Sequence, residues 1–259
     1  MFLYNSYLVT WFVFFENLLL TIFSLISLLI AIAYFTLAER KFIASVQRRC
    51  GPNIVGFWGL LQPLADGLKL VLKEIIVPNS SNQGLFILAP LLTLILSFSG
   101  WVVIPNSFDS YITDLTLSLM FILIISALGV YGILFAGWAS NSKYAVLGGL
   151  RSISQMISYE VSISLIILPI ILMSNSLNLI DIVYIQFQSV WFILPLLPLG
   201  IIFLISILAE TNRTPFDLPE AEAELVAGYN VEYSSIIFAM FFLGEYSNIL
   251  LMSSLFVIL

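Results

Sequence analysis

The sequence predicts an all-α fold: a polytopic bundle of about six transmembrane helices, plus an amphipathic helix at 57–73 lying in the membrane interface. Three observations predict it. Hydrophobic residues make up 61% of the 259 and charged residues 9%, with a mean hydropathy of +1.08, too little polar surface to coat a soluble globule. Apolar stretches of roughly 20 residues recur, and at about 1.5 Å per residue each crosses a hydrocarbon core of about 30 Å. The Lys and Arg residues fall only on alternate connections. Residues 1–259 read as one membrane domain.

The first span runs from about Leu18 to Leu37 without a charge. It leads into Ala38-Glu39-Arg40-Lys41 and SVQRRCGPNIVGF, where Gly51-Pro52-Asn53 break the helix and Arg40, Lys41, Arg48 and Arg49 gather at a membrane edge. In Phe57 to Lys73, the residues Gln62, Asp66, Lys69 and Lys73 recur at helical spacing, so they form one polar stripe on an otherwise apolar helix. That helix is too short and too charged to span. Its stripe faces protein or a cavity, or its cations meet anionic headgroups of membrane lipids. Further spans are predicted at about 84–104, 117–139, 153–173, 191–209 and 233–257.

Alternation of the spans puts the loops 38–83, 140–152 and 210–232 on one side, together with all nine Lys and Arg residues. By the positive-inside rule these loops face the cytoplasm or the mitochondrial matrix. The opposite side carries only acids, at Glu16, Asp109, Asp114 and Asp181. The beginning of the chain has no cationic n-region and no Arg-rich amphipathic segment, so no cleavable targeting segment is expected. One cysteine, Cys50, and no histidine leave no internal disulfide and no ligand set for haem, iron–sulfur or zinc. A phosphate-cradling glycine loop is also missing. The chain is expected to carry no redox centre, metal or covalent cofactor of its own, and nothing points to nucleic acid.

Charge concentrates in Leu208 to Tyr233, LAETNRTPFDLPEAEAELVAGYNVEY, which holds Glu210, Arg213, Asp217, Glu220, Glu222, Glu224 and Glu232 between two apolar runs. Pro215 and Pro219 exclude a continuous helix, and the acids after Pro219 suit a first helical turn. Capping alone gives no role to Arg213, Asp217 and Glu232, so a cavity-lining loop is the stronger reading. Glu160 sits nine residues beyond Arg151, about 13 Å along its helix, and Glu245 lies deep in the sixth span. An acid near mid-membrane costs about 2.5–3.5 kcal/mol, so these side chains face the bundle interior, water or a partner, where they can hold or pass a proton. A neutral carboxyl hydrogen-bonded to a neighbouring helix is the alternative for any one of them. Four together, Glu160, Glu210, Glu232 and Glu245, suggest a relay.

Three segments, LAERKFIASVQRRCGPNIVGFWGLLQPLADGLKLVLKE, SNSKYAVLGGLRSISQMISYEVS and LAETNRTPFDLPEAEAELVAGYNVEYSS, closely resemble the signature segments of the chain 1 family of respiratory complex I, the proton-pumping NADH:ubiquinone oxidoreductase. The likeness covers nearly the whole chain and is nearest to the mitochondrial version. It implies the mitochondrial inner membrane with the basic loops in the matrix. It also implies a role as the membrane side of the quinone chamber, with ubiquinone as substrate. Glu39, Arg40, Arg48 and Arg49 would lie near the opening to the lipid. Arg213, Phe216, Asp217, Glu220, Glu222 and Glu224 would form the charged chamber wall, and Glu160, Glu210, Glu232 and Glu245 would begin a carboxylate path to the membrane arm. NADH, flavin and the iron–sulfur clusters would sit in partner subunits, one carrying the terminal cluster, with membrane-arm subunits as further partners.

The family continues past the sixth span with about two more helices, whereas this sequence ends at Leu259, so a separately encoded polypeptide is expected to supply the remainder and cover chamber-facing groups, although a truncated gene product would read the same in sequence. The related subunit of a membrane-bound hydrogenase keeps the helices but lacks a quinone site, and the full acidic loop and QRRxGP segment favour the quinone enzyme. A secondary transporter would show internal repeats, of which none is found. A purely structural scaffold leaves Glu160 and Glu245 unexplained.

Overall fold

The computed structural model describes the backbone of residues 2–105, 112–217 and 228–259, with side chains from residue 18 onward. Among the described residues the regular structure is helical: α1 Phe2–Val46, α2 Gln62–Leu72, α3 Gln83–Ser99, α4 Ser118–Ser140, α5 Lys143–Ser174, α6 Leu179–Gln188, α7 Leu197–Glu210 and α8 Ser235–Ile258. Leu18–Val46, Gln83–Val103, Ser118–Ser140, Lys143–Ser174 and Ser235–Ile258 are each long and apolar enough to cross a membrane. The 14 residues of α7 rise about 21 Å, and with the turns that precede it α7 makes the sixth apolar segment. The architecture is the polytopic all-α bundle that the sequence predicts.

Several boundaries differ from the predicted ones, each for a local reason. The first span does not stop at Leu37, because Ala38, Glu39, Arg40 and Lys41 are all strong helix formers; it runs to Val46 and places Glu39 and Arg40 on the helix itself. It ends just before Arg48, whose φ of 55° is left-handed. The interfacial helix covers 62–72 rather than 57–73, because Gly56, Trp58 and Gly59 all have positive φ. A side chain at Gly59 would strike the Pro52 carbonyl, so glycine is needed at that corner. Pro63 then falls in the first turn of α2, where its missing N–H is harmless.

The fourth span begins at Lys143, not near 153, so the expected loop 140–152 shrinks to Asn141 and Ser142, and Lys143 and Arg151 ride on α5. Asn141 takes the left-handed conformation that ends α4, and the Ser142 hydroxyl accepts the Ala145 N–H at 3.4 Å to start α5. The fifth span opens as turns rather than at 191, since Pro195 and Pro198 bracket the start of α7. Ahead of it the sequence forms α6, started by Asn178, whose side chain accepts the Ile180 N–H at 3.0 Å, with Asp181 in the first turn.

Hydrogen bonds join the helix ends into two layers. At the basic end, the Asn82 N–H donates to the Ala139 carbonyl at 3.1 Å, and the Ser235 hydroxyl donates to the Lys73 carbonyl at 2.6 Å. At the opposite end, the Ser118 hydroxyl accepts the Leu179 N–H at 2.8 Å and the Gln186 amide donates to the Ile258 carbonyl at 2.8 Å. Among the described residues two larger apolar clusters fill the bundle between them, and a smaller one around Leu28, Ile32 and Tyr246 joins α1 to α8. Phe86, Ile133, Met156, Tyr229 and Phe241 build one of the larger pair, and Ile122, Ile163, Ile167, Phe203 and Leu255 build the other. The residues between these clusters do not close on one another, and the candidate site occupies that gap.

Candidate functional site

A cavity of about 290 Å³ lies where the end of α7 meets α8, α4 and α5. Its floor is drawn from both apolar clusters, with Ile122, Leu251 and Met252 on one side and Ile133 and Met156 on the other. Glu210, Asn212, Arg213, Asp217, Asn230, Glu245 and Tyr246 line the rest. The volume sits near the lower edge of the range of about 300–1,000 Å³ usual for small-molecule sites, which likewise combine apolar walls with a few convergent polar groups.

α7 places Glu210 as its last residue, 5% exposed, with one carboxylate oxygen buried and without a hydrogen-bond partner. Glu160, half-buried on α5, is close enough for its charge to act on Glu210. The chain then turns sharply: the Arg213 N–H returns to the Leu208 carbonyl at 3.0 Å, and Asn212 takes a positive φ of 49°. An asparagine tolerates that conformation better than other L residues apart from glycine. This turn swings Arg213 back toward α1.

There Arg213 Nη2 donates to Glu39 Oε2 at 2.7 Å, and the Tyr246 hydroxyl donates to the same oxygen at 2.7 Å. The guanidinium carbon also lies 4.8 Å from the centre of the Tyr246 ring, in cation–π contact. Burial opposes the Arg213 charge, but Tyr246 and Glu39 together outweigh it and hold the guanidinium above its ordinary pKa. Phe242 and Phe35 pack on the Tyr246 ring at 4.4 and 5.9 Å, so the polar trio is framed by aromatic groups. Deeper in the site, Glu245 accepts from the Tyr229 hydroxyl and from the Asn230 amide, and lies within electrostatic reach of Arg213 and Asp217.

The structure thus brings together Glu39, Arg213, Asp217, Glu210, Glu245 and Glu160 from α1, α5, α7, α8 and the segment after α7. Arg40 is turned elsewhere, onto Asp66 of α2 at 2.6 Å, which settles that Asp66, the acidic member of the α2 stripe, faces protein. Lys69 and Lys73 of the same stripe are exposed, as are Arg48 and Arg49 beyond the end of α1. Glu232 does not open the last helix; it lies in the turn before Ser235, half-buried and outside the cavity lining. Phe216 stands behind the wall, its ring 5.9 Å from that of Tyr159. Glu220, Glu222 and Glu224 lie outside the described residues. Sequence reasoning passed over Tyr229, Asn230 and Tyr246, although Tyr246 adjoins Glu245 and the other two close the VAGYN segment.

Comparison with known proteins shows the family. The chain is 62% identical over 244 residues to "NADH-ubiquinone oxidoreductase chain 1" of Chondrus crispus, covering 94% of this chain and 74% of that one. It is 60% identical over 235 residues to the protein of the same name from Cyanidium caldarium, covering 91% and 68%. With an NADH-quinone oxidoreductase subunit of Rhodospirillum rubrum it shares 59% identity over 229 residues, covering 88% and 68%. The profile of the NADH dehydrogenase family matches residues 19–259, so the chain belongs to that family.

Proposed function

We infer that this protein is a membrane subunit of an NADH:quinone oxidoreductase and that its cavity forms the membrane side of the quinone-binding chamber. The observation that carries the reading is the cavity itself: an apolar floor beneath Glu210, Arg213, Asp217 and Glu245, in a relative of NADH:quinone oxidoreductase subunits. A quinone has an apolar ring and tail and two carbonyl oxygens, and this combination of surfaces suits it. Reduction to quinol takes up two electrons and two protons. With no histidine and a single cysteine, the chain offers no redox relay, so the electrons come from the terminal iron–sulfur cluster of a partner subunit, supplied from NADH through flavin.

The chain's own residues handle charge. Uptake of protons by the reduced quinone changes the field at Arg213 and Asp217, and Glu245, within reach of both, senses it. Glu210 and Glu160, whose charges interact, pass the change toward the membrane arm. Glu39 and Arg213 mark the side of the chamber next to α1, through which quinone arrives from the lipid. Glu220, Glu222 and Glu224 extend the acidic wall. The basic loops face the matrix of the mitochondrion and the multi-pass bundle lies in its inner membrane, among other membrane-arm subunits.

Replacing Glu210 by Gln tests the reading. Quinone-coupled proton pumping is expected to fall while NADH oxidation by an artificial acceptor persists. Unchanged pumping per quinone reduced would remove Glu210 from the relay.

A further inference from the structure

The segment that carries Glu210 and Arg213 is held from behind. Gln155, the one carboxamide in α5, donates from Nε2 to the Ala209 carbonyl at 2.8 Å and to the Phe216 carbonyl at 2.9 Å. These acceptors lie seven residues apart and flank the turn. Carbonyls at a helix end and in a turn have fewer regular partners than a helix interior supplies; the Ala209 carbonyl also accepts the Asn212 N–H at 3.3 Å, and one planar NH₂ group reaches both carbonyls while fixing the distance between them. One turn further along α5, Tyr159 packs its ring against Phe216 at 5.9 Å. Gln155 itself does not line the cavity.

We propose that Gln155 is a positioning residue for quinone reduction: its amide clamps segment 209–216 in the shape that presents Glu210 and Arg213 to the cavity. The proposal rests on the quinone reading of that cavity. Without the clamp, Arg213 would reach Glu39 from a looser turn, and the wall would lose its register against the apolar floor. Both donors act on backbone, so the requirement is for N–H groups at that reach, not for a polar side chain as such.

The test uses the intact complex carrying Gln155→Leu, with Gln155→Glu as an isosteric companion. In Gln155→Leu, amide hydrogen exchange across 209–217 should quicken and the KM for a short-chain quinone should rise about tenfold, with NADH oxidation by ferricyanide unchanged. In Gln155→Glu only the protonated acid can donate, and to one carbonyl, so its quinone-linked rate relative to wild type should rise as pH falls. Unchanged exchange in Gln155→Leu overturns the clamp. Faster exchange with an unchanged quinone KM overturns the positioning role, as does equal loss of quinone and ferricyanide activities, which would make Gln155 a general structural residue. Failure of the chamber reading is distinguishable, because Arg213→Lys, a change in the cavity lining itself, would then leave the quinone KM unchanged while exchange in Gln155→Leu still quickened.

Discussion

One oxygen of Glu39 accepts from both Arg213 and Tyr246, and the Tyr246 ring lies beneath the same guanidinium, so three side chains act as a unit. In Tyr246→Phe the ring remains and the donor is lost; quinone-linked kcat/KM should fall about tenfold, since hydrogen bonds to charged groups are worth roughly 1.5–3 kcal/mol and this one is part-buried. Arg213→Lys should fall further, because an ammonium can neither stack on the ring nor offer a planar fork. Steady-state kinetics with short-chain quinone, set against ferricyanide reduction, checks both. Glu39, Glu210, Arg213 and Glu245 were legible in the sequence because a charge is rare in this chain and must be accommodated. Their partners Tyr229, Asn230, Tyr246 and Gln155 were not, because uncharged polar and aromatic side chains are common in helices and reveal a role only when a distant residue meets them. Charge alone also fails to give direction: Arg40 belongs to α2 through Asp66, and Arg48 and Arg49 face outward.

Helix α5 is the element against which the site is assembled, and glycine sets how closely it approaches. A Cβ on Gly148 would lie 2.7 Å from the Gly228 backbone, which cannot yield as a side-chain tip can, whereas a Cβ on Gly129 of α4 would meet nothing within 4 Å. Gly148→Ala should therefore displace the Gly228-Tyr229-Asn230 turn and reduce the amount of assembled complex on a native gel. Gly129→Ala should leave it unchanged. The Arg40–Asp66 bridge is half-exposed on both sides, so a double-mutant cycle should return a coupling below about 1 kcal/mol in the thermal stability of the complex. Element types followed from hydropathy, but boundaries did not. A hydropathy window sees Glu39 or Arg151 as the edge of a span, while the backbone sees a good helix former and continues until a left-handed residue or a proline intervenes.

At the scale of the whole molecule, the alternation of basic and acidic connections predicts one matrix-facing end, and Cys50 is an exposed reporter of it. A membrane-impermeant maleimide should label Cys50 in inside-out inner-membrane vesicles and not in right-side-out ones, and the reverse pattern would invert the topology. The bundle class was legible because a bilayer restricts a chain this apolar to few solutions. The cavity was not, since it arises where two apolar clusters fail to meet. The position of Glu39 also has a temporal consequence. Its bond to Tyr246 joins residues 207 apart, and at roughly 5–20 residues per second a ribosome needs about 10–40 s to make the intervening chain. During that interval α1 can be tied to α2 through Arg40 and Asp66 while Glu39 still lacks its Tyr246 partner, so the site is completed only once translation has passed α8.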